Sequence, residues 1–296
     1  MPNFVILGAA KTGTTSIYRY IRQHPEIYMS PSKEPRFFAF ENETFDFKGP
    51  GDDLEMAKTS LEEYQQLFAN VVHEKAIGEA TTMYLWSPKA AQSIKNHLPD
   101  AKLIAIARDP VERAYSNYLH LVQAGREPLA NFSDAIQQEP RRIKEHWWPF
   151  WYYKDQGFYY IQLKRYFDLF DRSQIKVYLY EDLKTNPLAL LQNIFQFLEV
   201  NDRFIPNLAE KVRKSPPIAK NKTLHSLVSQ PNPFKSLLKP LLPESLRQQV
   251  INKINQNNLV KQKVPVELRQ QLISEYREDI LKLQELIDRD LTKWLE

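Results

Sequence analysis

The chain of 296 residues is 43% hydrophobic, which suffices for a substantial buried core, and we expect a single domain over residues 1–296. It contains no cysteine, which excludes disulfides, thiolate metal sites and a cysteine nucleophile. The net charge of +4 is too small to indicate a nucleic-acid partner, and no apolar run approaches the roughly 18 residues of a membrane span, so a cytoplasmic protein is expected.

Predicted strands and helices alternate along the chain. The first strand is the apolar run Phe4–Leu7, and a helical pattern begins at Ser16 after a glycine-containing turn. The other predicted strands are Glu26–Met29, Lys75–Glu79, Ala101–Ala107 and Ile175–Tyr180. The other predicted helical segments are Leu61–Phe68, Pro88–Leu98, Glu112–Val122, Phe132–Ile136, Gly157–Phe170, Pro187–Leu198, Pro243–Ile254 and Pro265–Leu286. This alternation predicts an α/β three-layer sandwich with a central parallel sheet and ligands beyond the carboxyl ends of its strands.

The turn after the first strand runs from Gly8 to Ser16 with the sequence GAAKTGTTS. At such a junction, backbone N–H groups and the positive end of a helix dipole point into one small space, which suits a phosphate or another oxyanion. A nucleoside-triphosphate P-loop carries its lysine directly after the second glycine, whereas here Thr14 stands there and the only lysine is Lys11, inside the loop. The turn therefore predicts an anion-binding loop of a different kind, with an ordinary βα turn as the alternative.

A second motif, Ala107–Ser116 with the sequence ARDPVERAYS, follows about ninety residues later. The two motifs together resemble those of the sulfotransferases that use 3′-phosphoadenosine 5′-phosphosulfate (PAPS), in which they bind the 5′-phosphosulfate and the 3′-phosphate. Further similarities at Lys33–Phe38 and at Trp294-Leu295 extend the resemblance over nearly the whole chain. It is strongest for the branch of carbohydrate and heparan sulfate sulfotransferases and their bacterial relatives, and it implies a P-loop, nucleotide-kinase-like sulfotransferase fold.

The resemblance implies PAPS as donor and adenosine 3′,5′-bisphosphate as product. Because a transferring sulfuryl group bears less negative charge than a phosphoryl group, we expect no required metal. Lys11 would be the electrostatic catalyst at the leaving oxygen, where negative charge develops. Arg108 and Ser116 match the ligands of the 3′-phosphate, for which a guanidinium offers a suitable fork of donors, and Tyr159 falls in a family-like element near the cofactor. The expected ligands of the 5′-phosphate are Lys11, Thr12, Gly13, Thr14, Thr15 and Ser16. We expect Asp109 to cap the helix that begins at Pro110 rather than to hold Mg²⁺.

Three residues are candidates for the general base that deprotonates the acceptor. Glu34 is the first choice, because its segment is similar to the one that supplies a catalytic glutamate in the heparan sulfate sulfotransferases. Glu79 follows a predicted strand in another family-like segment, although Ala80 stands where that segment usually carries a lysine. His120 lies one helical turn beyond Ser116, and imidazole titrates near neutral pH; a packing role for this histidine is the alternative.

Positive charge is concentrated late in the chain, where residues 203–263 carry twelve Lys or Arg against two acidic residues. Within this segment, Arg213, Lys214 and Lys220 are candidates for a basic lid that holds the 3′-phosphate. A solvated basic face and a surface for anionic lipid or polymer are the alternatives. The aromatic block at 147–153 allows either stacking on a sugar or ordinary packing.

The sequence therefore predicts an enzyme that moves a sulfuryl group from PAPS to a hydroxyl of a carbohydrate, a lipid or a secondary metabolite. A P-loop kinase is the alternative enzyme, although the lysine after Gly13 and an obvious Mg²⁺-binding acid are missing. A non-catalytic nucleotide- or polyanion-binding protein is the alternative from a different class.

Overall fold

The computed structural model describes residues 1–49, 57–209 and 264–296, together with the backbone of two short strands at 218–219 and 259–260. Its centre is a five-stranded sheet in the order β2-β3-β1-β4-β5, in which every pair of neighbours is parallel. The strands are β1 Phe4–Gly8, β2 Ile27–Met29, β3 Ala76–Ala80, β4 Lys102–Ala107 and β5 Ile175–Leu179. The predicted parallel α/β architecture is confirmed.

Helices cover both faces of this sheet. They are α1 Thr14–Ile21, α2 Phe37–Phe40, α3 Leu61–Gln66, α4 Met83–Trp86, α5 Ala90–His97, α6 Pro110–Gln123, α7 Phe132–Gln137, α8 Glu139–Lys144, α9 Tyr159–Phe167, α10 Tyr180–Thr185, α11 Pro187–Phe197 and α12 Val266–Ile287. Short 3₁₀ turns occur at Pro149–Trp151, Asp155–Gly157, Arg172–Gln174 and Thr292–Leu295, and β6 Ile218–Ala219 pairs antiparallel with β7 Leu259–Val260. The predicted helix at Pro243–Ile254 lies outside the described residues.

The two faces of the sheet bury two separate apolar clusters. Successive side chains of a strand point to opposite faces, so Val5 and Leu7 of β1 enter one cluster, whereas Phe4 and Ile6 enter the other. The first cluster is covered by helices that include α5, α6, α9 and α12, and the second is covered by α1 and α11. This arrangement is the predicted three-layer sandwich.

The aromatic block at 147–153 contributes mainly to the first cluster. Trp148, Trp151 and Tyr153 are at most 1% exposed, whereas Trp147 and Phe150 remain partly exposed. Tyr152 is also buried, at 5% exposure, so ordinary packing explains four of the six rings, and stacking on a sugar stays open only for Trp147 and Phe150. Within the described ranges, no helix is both long enough and apolar enough to span a bilayer.

A buried ion pair links the chain on either side of α7. Arg142 donates two parallel hydrogen bonds of 2.8 Å to the carboxylate of Glu127, and the hydroxyl of Tyr153 donates to the same carboxylate at 2.5 Å. The side chains of Arg142 and Glu127 are only 4% and 0% exposed. Each charge therefore depends on the other for its compensation, because little water reaches them.

We predict that Arg142→Met lowers the free energy of unfolding by about 3–5 kcal/mol, because it leaves the Glu127 carboxylate buried without a cation. The measurement is equilibrium denaturation by urea. The matched control is Arg141→Met, which removes the exposed pair between Arg141 and Glu145 and should cost less than about 1 kcal/mol. Equal losses in the two variants would contradict the prediction.

Candidate active site

Two glycines fix the shape of the loop between β1 and α1. Gly8 has φ +134°, and a Cβ at this position would lie 2.7 Å from the carbonyl oxygen of Thr82. Gly13 has φ +90°, and its Cβ would lie 2.5 Å from a methyl group of Leu183. Thr12 is fully buried, and its hydroxyl donates to a backbone carbonyl of the loop at 2.8 Å. The loop is therefore held in one conformation by close contacts on both sides.

Lys11 lies in this loop with a left-handed backbone (φ 68°) and a partly buried side chain. Burial, and after it the positive charges of Arg108, Lys33 and Arg113 in that order of effect, lower the pKa of Lys11 to about 8. Four cationic side chains thus share one region at the carboxyl ends of the strands. Because like charges at close range repel, the site favours an oxyanion that would neutralise them.

The structure brings the two sequence motifs into contact. β1 and β4 are neighbours in the sheet, and Arg108, which directly follows β4, donates from Nη1 to the carbonyl of Lys11 at 3.1 Å. The guanidinium of Arg108 also lies over the ring of Tyr180 at 4.7 Å, and its Nη2 is 3.6 Å from Oε2 of Glu112. The side chain of Arg108 is 17% exposed, so it is anchored while remaining open to a ligand.

The helix that follows Arg108 carries the other residue of the second motif. Asp109 accepts hydrogen bonds at Oδ1 from the N–H groups of Val111 and Glu112, at 2.9 and 3.1 Å, which confirms its predicted role as the cap of α6. Ser116 lies on the same helix, about 9 Å along the axis from Pro110, and is partly exposed. The Arg108–Ser116 segment is therefore rigid and begins beside the anion-binding loop.

Glu34 lies next to the same end of the sheet. Its backbone is left-handed (φ 65°), and its N–H donates to the carbonyl of Ala80, the last residue of β3, at 3.0 Å. Its carboxylate accepts from the N–H of Thr82 at 2.8 Å and from the Thr82 hydroxyl at 3.1 Å, and the Nζ of Lys33 is 2.5 Å away. The Glu34 side chain is 17% exposed, so the carboxylate is held in place and reachable from solvent.

Glu79 differs from Glu34 in being completely buried. It lies on β3 opposite Val5 of β1, and its carboxylate accepts from the hydroxyl of Thr81 at 2.8 Å and from that of Tyr64 at 3.2 Å. Burial raises the pKa of Glu79 to about 7, against the opposing effect of hydrogen bonds from Tyr84, Thr81 and Tyr64. Glu79 is 0% exposed, and its hydrogen bonds connect β3 with Tyr64 of α3 and with Thr81; its predicted role as the base stays a prediction.

His120 and Tyr159 lie in very different surroundings. His120 is exposed in the last turn of α6, about 15 Å along the helix axis from Pro110. Tyr159 begins α9, is fully buried beside Trp294, and has a hydroxyl without a hydrogen-bond partner in the part of the chain that the structure describes. The catalytic role of His120 and the cofactor contact of Tyr159 both stay predictions.

The late basic candidates Arg213, Lys214 and Lys220, and with them most of the proposed lid at 203–263, lie outside the described residues. Across residues 1–49, 57–209 and 264–296, no group of three or more His, Asp or Glu side chains is arranged to hold a metal ion.

Sequence reasoning missed three residues that belong to the site. Lys33 is paired with Glu34, although both stand in the KEPRFF segment that the resemblance identified. Arg113 is fully buried in the second motif and donates to the carbonyl of Tyr153. Thr82 binds the Glu34 carboxylate through both its N–H and its hydroxyl, a role that no spacing in the sequence indicates.

The parallel sheet, the anion-binding loop and the arginine that follows β4 define a protein of the P-loop sulfotransferase fold. Residues 2–203 match the sequence model described as "Sulfotransferase family". The chain belongs to this family.

Individual relatives agree with this assignment. The crystal structure of a sulfotransferase from Alicyclobacillus acidocaldarius is 33% identical, with a TM-score of 0.78, and the match covers 100% of this chain and 99% of that one. The membrane-associated sulfotransferase kil1 of Dictyostelium discoideum is 35% identical over 123 residues, which are 42% of this chain and 24% of kil1. Human carbohydrate sulfotransferase 15 is 25% identical over 249 residues, which are 68% of this chain and 44% of that protein. The chain thus spans less than half the length of these two curated relatives.

We predict that Lys11→Met stabilises the ligand-free protein at pH 7, by on the order of 1–3 kcal/mol, because folding then no longer buries a cation at this position beside three others. The pKa of Lys11 is lower in the folded than in the unfolded state, so the folded wild-type protein loses this proton near pH 8 and the unfolded chain only at higher pH. The advantage of the variant should therefore shrink as the pH rises from 7 to 9.5.

The measurement is urea denaturation of both proteins across this pH range. The matched control is Lys176→Met, at an exposed position on β5, whose difference from wild type should stay constant with pH. A Lys11→Met protein that is less stable than wild type at pH 7 would contradict the assigned charge cluster.

Proposed function

We propose that this sulfotransferase-family protein transfers the sulfuryl group of PAPS to a hydroxyl group of its acceptor. The observation that carries the proposal is the contact between Arg108 and the Lys11 loop, since it joins a loop suited to one phosphate to an arginine suited to another. PAPS carries its two phosphate groups at the 5′ and 3′ positions of one ribose. A site with two cationic anchors side by side fits this donor better than it fits a nucleotide with a single phosphate chain.

In this proposal the 5′-phosphosulfate lies on the loop between β1 and α1. The N–H groups from Lys11 to Thr15 and the hydroxyl groups of Thr14, Thr15 and Ser16 bind the 5′-phosphate, while Arg108 and Ser116 bind the 3′-phosphate. The multiply charged donor anion compensates the mutual repulsion of Lys11, Lys33, Arg108 and Arg113, which supports a charged Lys11 at neutral pH once the donor is bound. Lys11 then stabilises the negative charge that develops on the leaving oxygen.

The acceptor hydroxyl is activated by Glu34. The oxygen of the acceptor hydroxyl attacks the sulfur, and the bond between the sulfur and the bridging oxygen of the donor breaks. The proton of the hydroxyl passes to the Glu34 carboxylate. The products are the sulfate ester and adenosine 3′,5′-bisphosphate. Thr82 orients this carboxylate through two hydrogen bonds, and Lys33 supplies a cation beside it, within the charge cluster that also affects Lys11.

Accessibility favours Glu34 over the other two candidates. A general base must come within hydrogen-bond reach of the proton that it removes. Glu34 is 17% exposed, whereas Glu79 is 0% exposed behind Tyr64 and Thr81. His120 lies near the far end of α6, about 15 Å along the axis from the anion-binding end.

We further propose that the reaction requires no metal ion. A transferring sulfuryl group carries less negative charge than a phosphoryl group, so that cationic side chains and backbone dipoles can supply the compensation for which kinases use Mg²⁺. The residue that directly follows β4 is Arg108, and its positive charge opposes the binding of a divalent cation at this point. The acceptor is proposed to be a carbohydrate, a lipid or a secondary metabolite, and a cytoplasmic location stays a prediction of the sequence.

We predict that adenosine 3′,5′-bisphosphate raises the melting temperature without added Mg²⁺. At a hundredfold excess over Kd the stabilisation is about 2.7 kcal/mol, which corresponds to several degrees. The measurement is a thermal shift series with the bisphosphate, adenosine 5′-monophosphate, and ATP with Mg²⁺. Arg108→Ala should abolish the preference for the bisphosphate over the monophosphate.

Stabilisation by ATP with Mg²⁺ alone would indicate a kinase, and tight bisphosphate binding without turnover of PAPS on any acceptor would indicate a binding protein.

We predict that Glu34→Gln lowers kcat by about 10²–10⁴-fold and leaves the affinity for adenosine 3′,5′-bisphosphate unchanged, because the amide cannot accept the proton. Turnover is measured with labelled PAPS, after an acceptor has been identified by labelling in a cell extract. The comparison variant is Glu79→Gln, which changes a buried carboxylate in the same way. Its kcat per folded molecule should equal that of the wild type, so that any loss of turnover reflects a loss of folded protein. Near-normal turnover of Glu34→Gln would assign the base to Glu79 or His120 instead.

A further inference from the structure

The first turn of α12 makes a charged contact with the first turn of α6. Arg269, the fourth residue of α12, donates from Nη2 to Oδ2 of Asp109 at 2.8 Å, and its Nη1 is 3.5 Å from Oε1 of Glu112. Its Nε donates to the backbone carbonyl of Glu296 at 3.1 Å. All three nitrogens of this guanidinium therefore face acceptors, and the side chain is 26% exposed. The contact joins a helix near the end of the chain to the residues beside Arg108.

The two acids that contact Arg269 are also close to Arg108, Asp109 in sequence and Glu112 by a direct contact. Asp109 directly follows Arg108 and uses its other carboxylate oxygen to cap α6. Glu112 is shared between the two arginines, with Oε2 at 3.6 Å from Nη2 of Arg108 and Oε1 at 3.5 Å from Arg269. Two carboxylates are therefore balanced by two guanidinium groups. Without Arg269, Glu112 would lose one of the two guanidinium groups that it contacts and keep its contact with Arg108.

We propose that Arg269 is a positioning residue for Arg108, which it keeps free to bind the 3′-phosphate by neutralising Asp109 and Glu112. The inference rests on the proposed function, since it assumes that Arg108 binds this phosphate. Arg269 contacts the two carboxylates and is linked to Arg108 through Glu112. It acts on the donor only through them, because a free carboxylate would compete with phosphate for the Arg108 guanidinium.

Other contacts hold α12 in place, so the role of Arg269 can be separated from helix docking. The carboxylate of Asp279 accepts from the N–H of Tyr160 at 2.9 Å, and the hydroxyl of Tyr276 donates to the carbonyl of Lys154 at 2.9 Å.

Arg269 also lies beyond residues 2–203, the part of the chain that matches the family model. Neither its spacing nor any motif in the sequence singles it out.

The test measures binding of adenosine 3′,5′-bisphosphate and of adenosine 5′-monophosphate by calorimetry. For Arg269→Gln we expect about a tenfold loss of affinity for the bisphosphate, or ~1.4 kcal/mol, and an unchanged affinity for the monophosphate. Arg269→Lys should lose less, because one ammonium group can serve one carboxylate but not both. With PAPS as substrate, KM should rise while kcat stays near the wild-type value. Adding Glu112→Gln to Arg269→Gln should restore part of the affinity, since it removes one competing carboxylate.

The matched control is Arg172→Ala, which removes the 2.8 Å hydrogen bond from Arg172 to the carbonyl of Leu286 at the other end of α12. It should leave the preference for the bisphosphate unchanged. An equal loss for both nucleotides in Arg269→Gln, an equal effect of Arg172→Ala, or a retained preference in Arg269→Gln would each overturn the inference. A wild-type protein that binds both nucleotides alike, or an Arg108→Ala variant that keeps the preference, would instead refute the 3′-phosphate site and the inference with it.

Discussion

Burial of Lys11 beside three other cations at the carboxyl ends of β1 and β4 is the constraint on which the site depends. Lys11, Lys33, Arg108 and Arg113 are close enough that the last three lower the pKa of the first. The fold holds them together through rigid elements, because Arg108 is bonded to the loop backbone and Arg113 is buried on α6. An arrangement of this kind is costly in the absence of a ligand, and it becomes favourable when a multiply charged anion binds.

The carboxylates around this cluster acquire different properties from their surroundings. Glu34 is at the surface of the site, where Thr82 and Lys33 hold it in one orientation. Glu79 is only two residues from Thr81 and three from Thr82, yet burial raises its pKa to about 7 and closes it off from solvent. Three of the four acids of the site, Glu34, Asp109 and Glu112, are instead paired with cations. Glu34 and Glu79 are the same residue type, so exposure to solvent is what distinguishes the candidate base Glu34 from the buried Glu79.

The alternation of strands and helices was sufficient to predict the sheet and its layers, because buried parallel strands read as continuous apolar runs and the βα turn has its own signature. The short helices α2 and α4 were not predicted, since four residues are too few to show a helical period. The isolation of Glu79 could not be predicted either, because its partners Tyr64 and Tyr84 come from different helices. The contact of Arg269 with Asp109 could not be predicted for a similar reason, since the two residues are 160 positions apart in the sequence.

Thr82 contacts both parts of the site, the loop between β1 and α1 and the Glu34 carboxylate. Its carbonyl is the atom that forbids a side chain at Gly8, whereas its N–H and hydroxyl orient Glu34. The position of the loop after β1 and that of the Glu34 carboxylate are thereby fixed relative to each other by a single residue. A shift of Thr82 would therefore move the loop and the Glu34 carboxylate together, so that neither can be remodelled independently of the other.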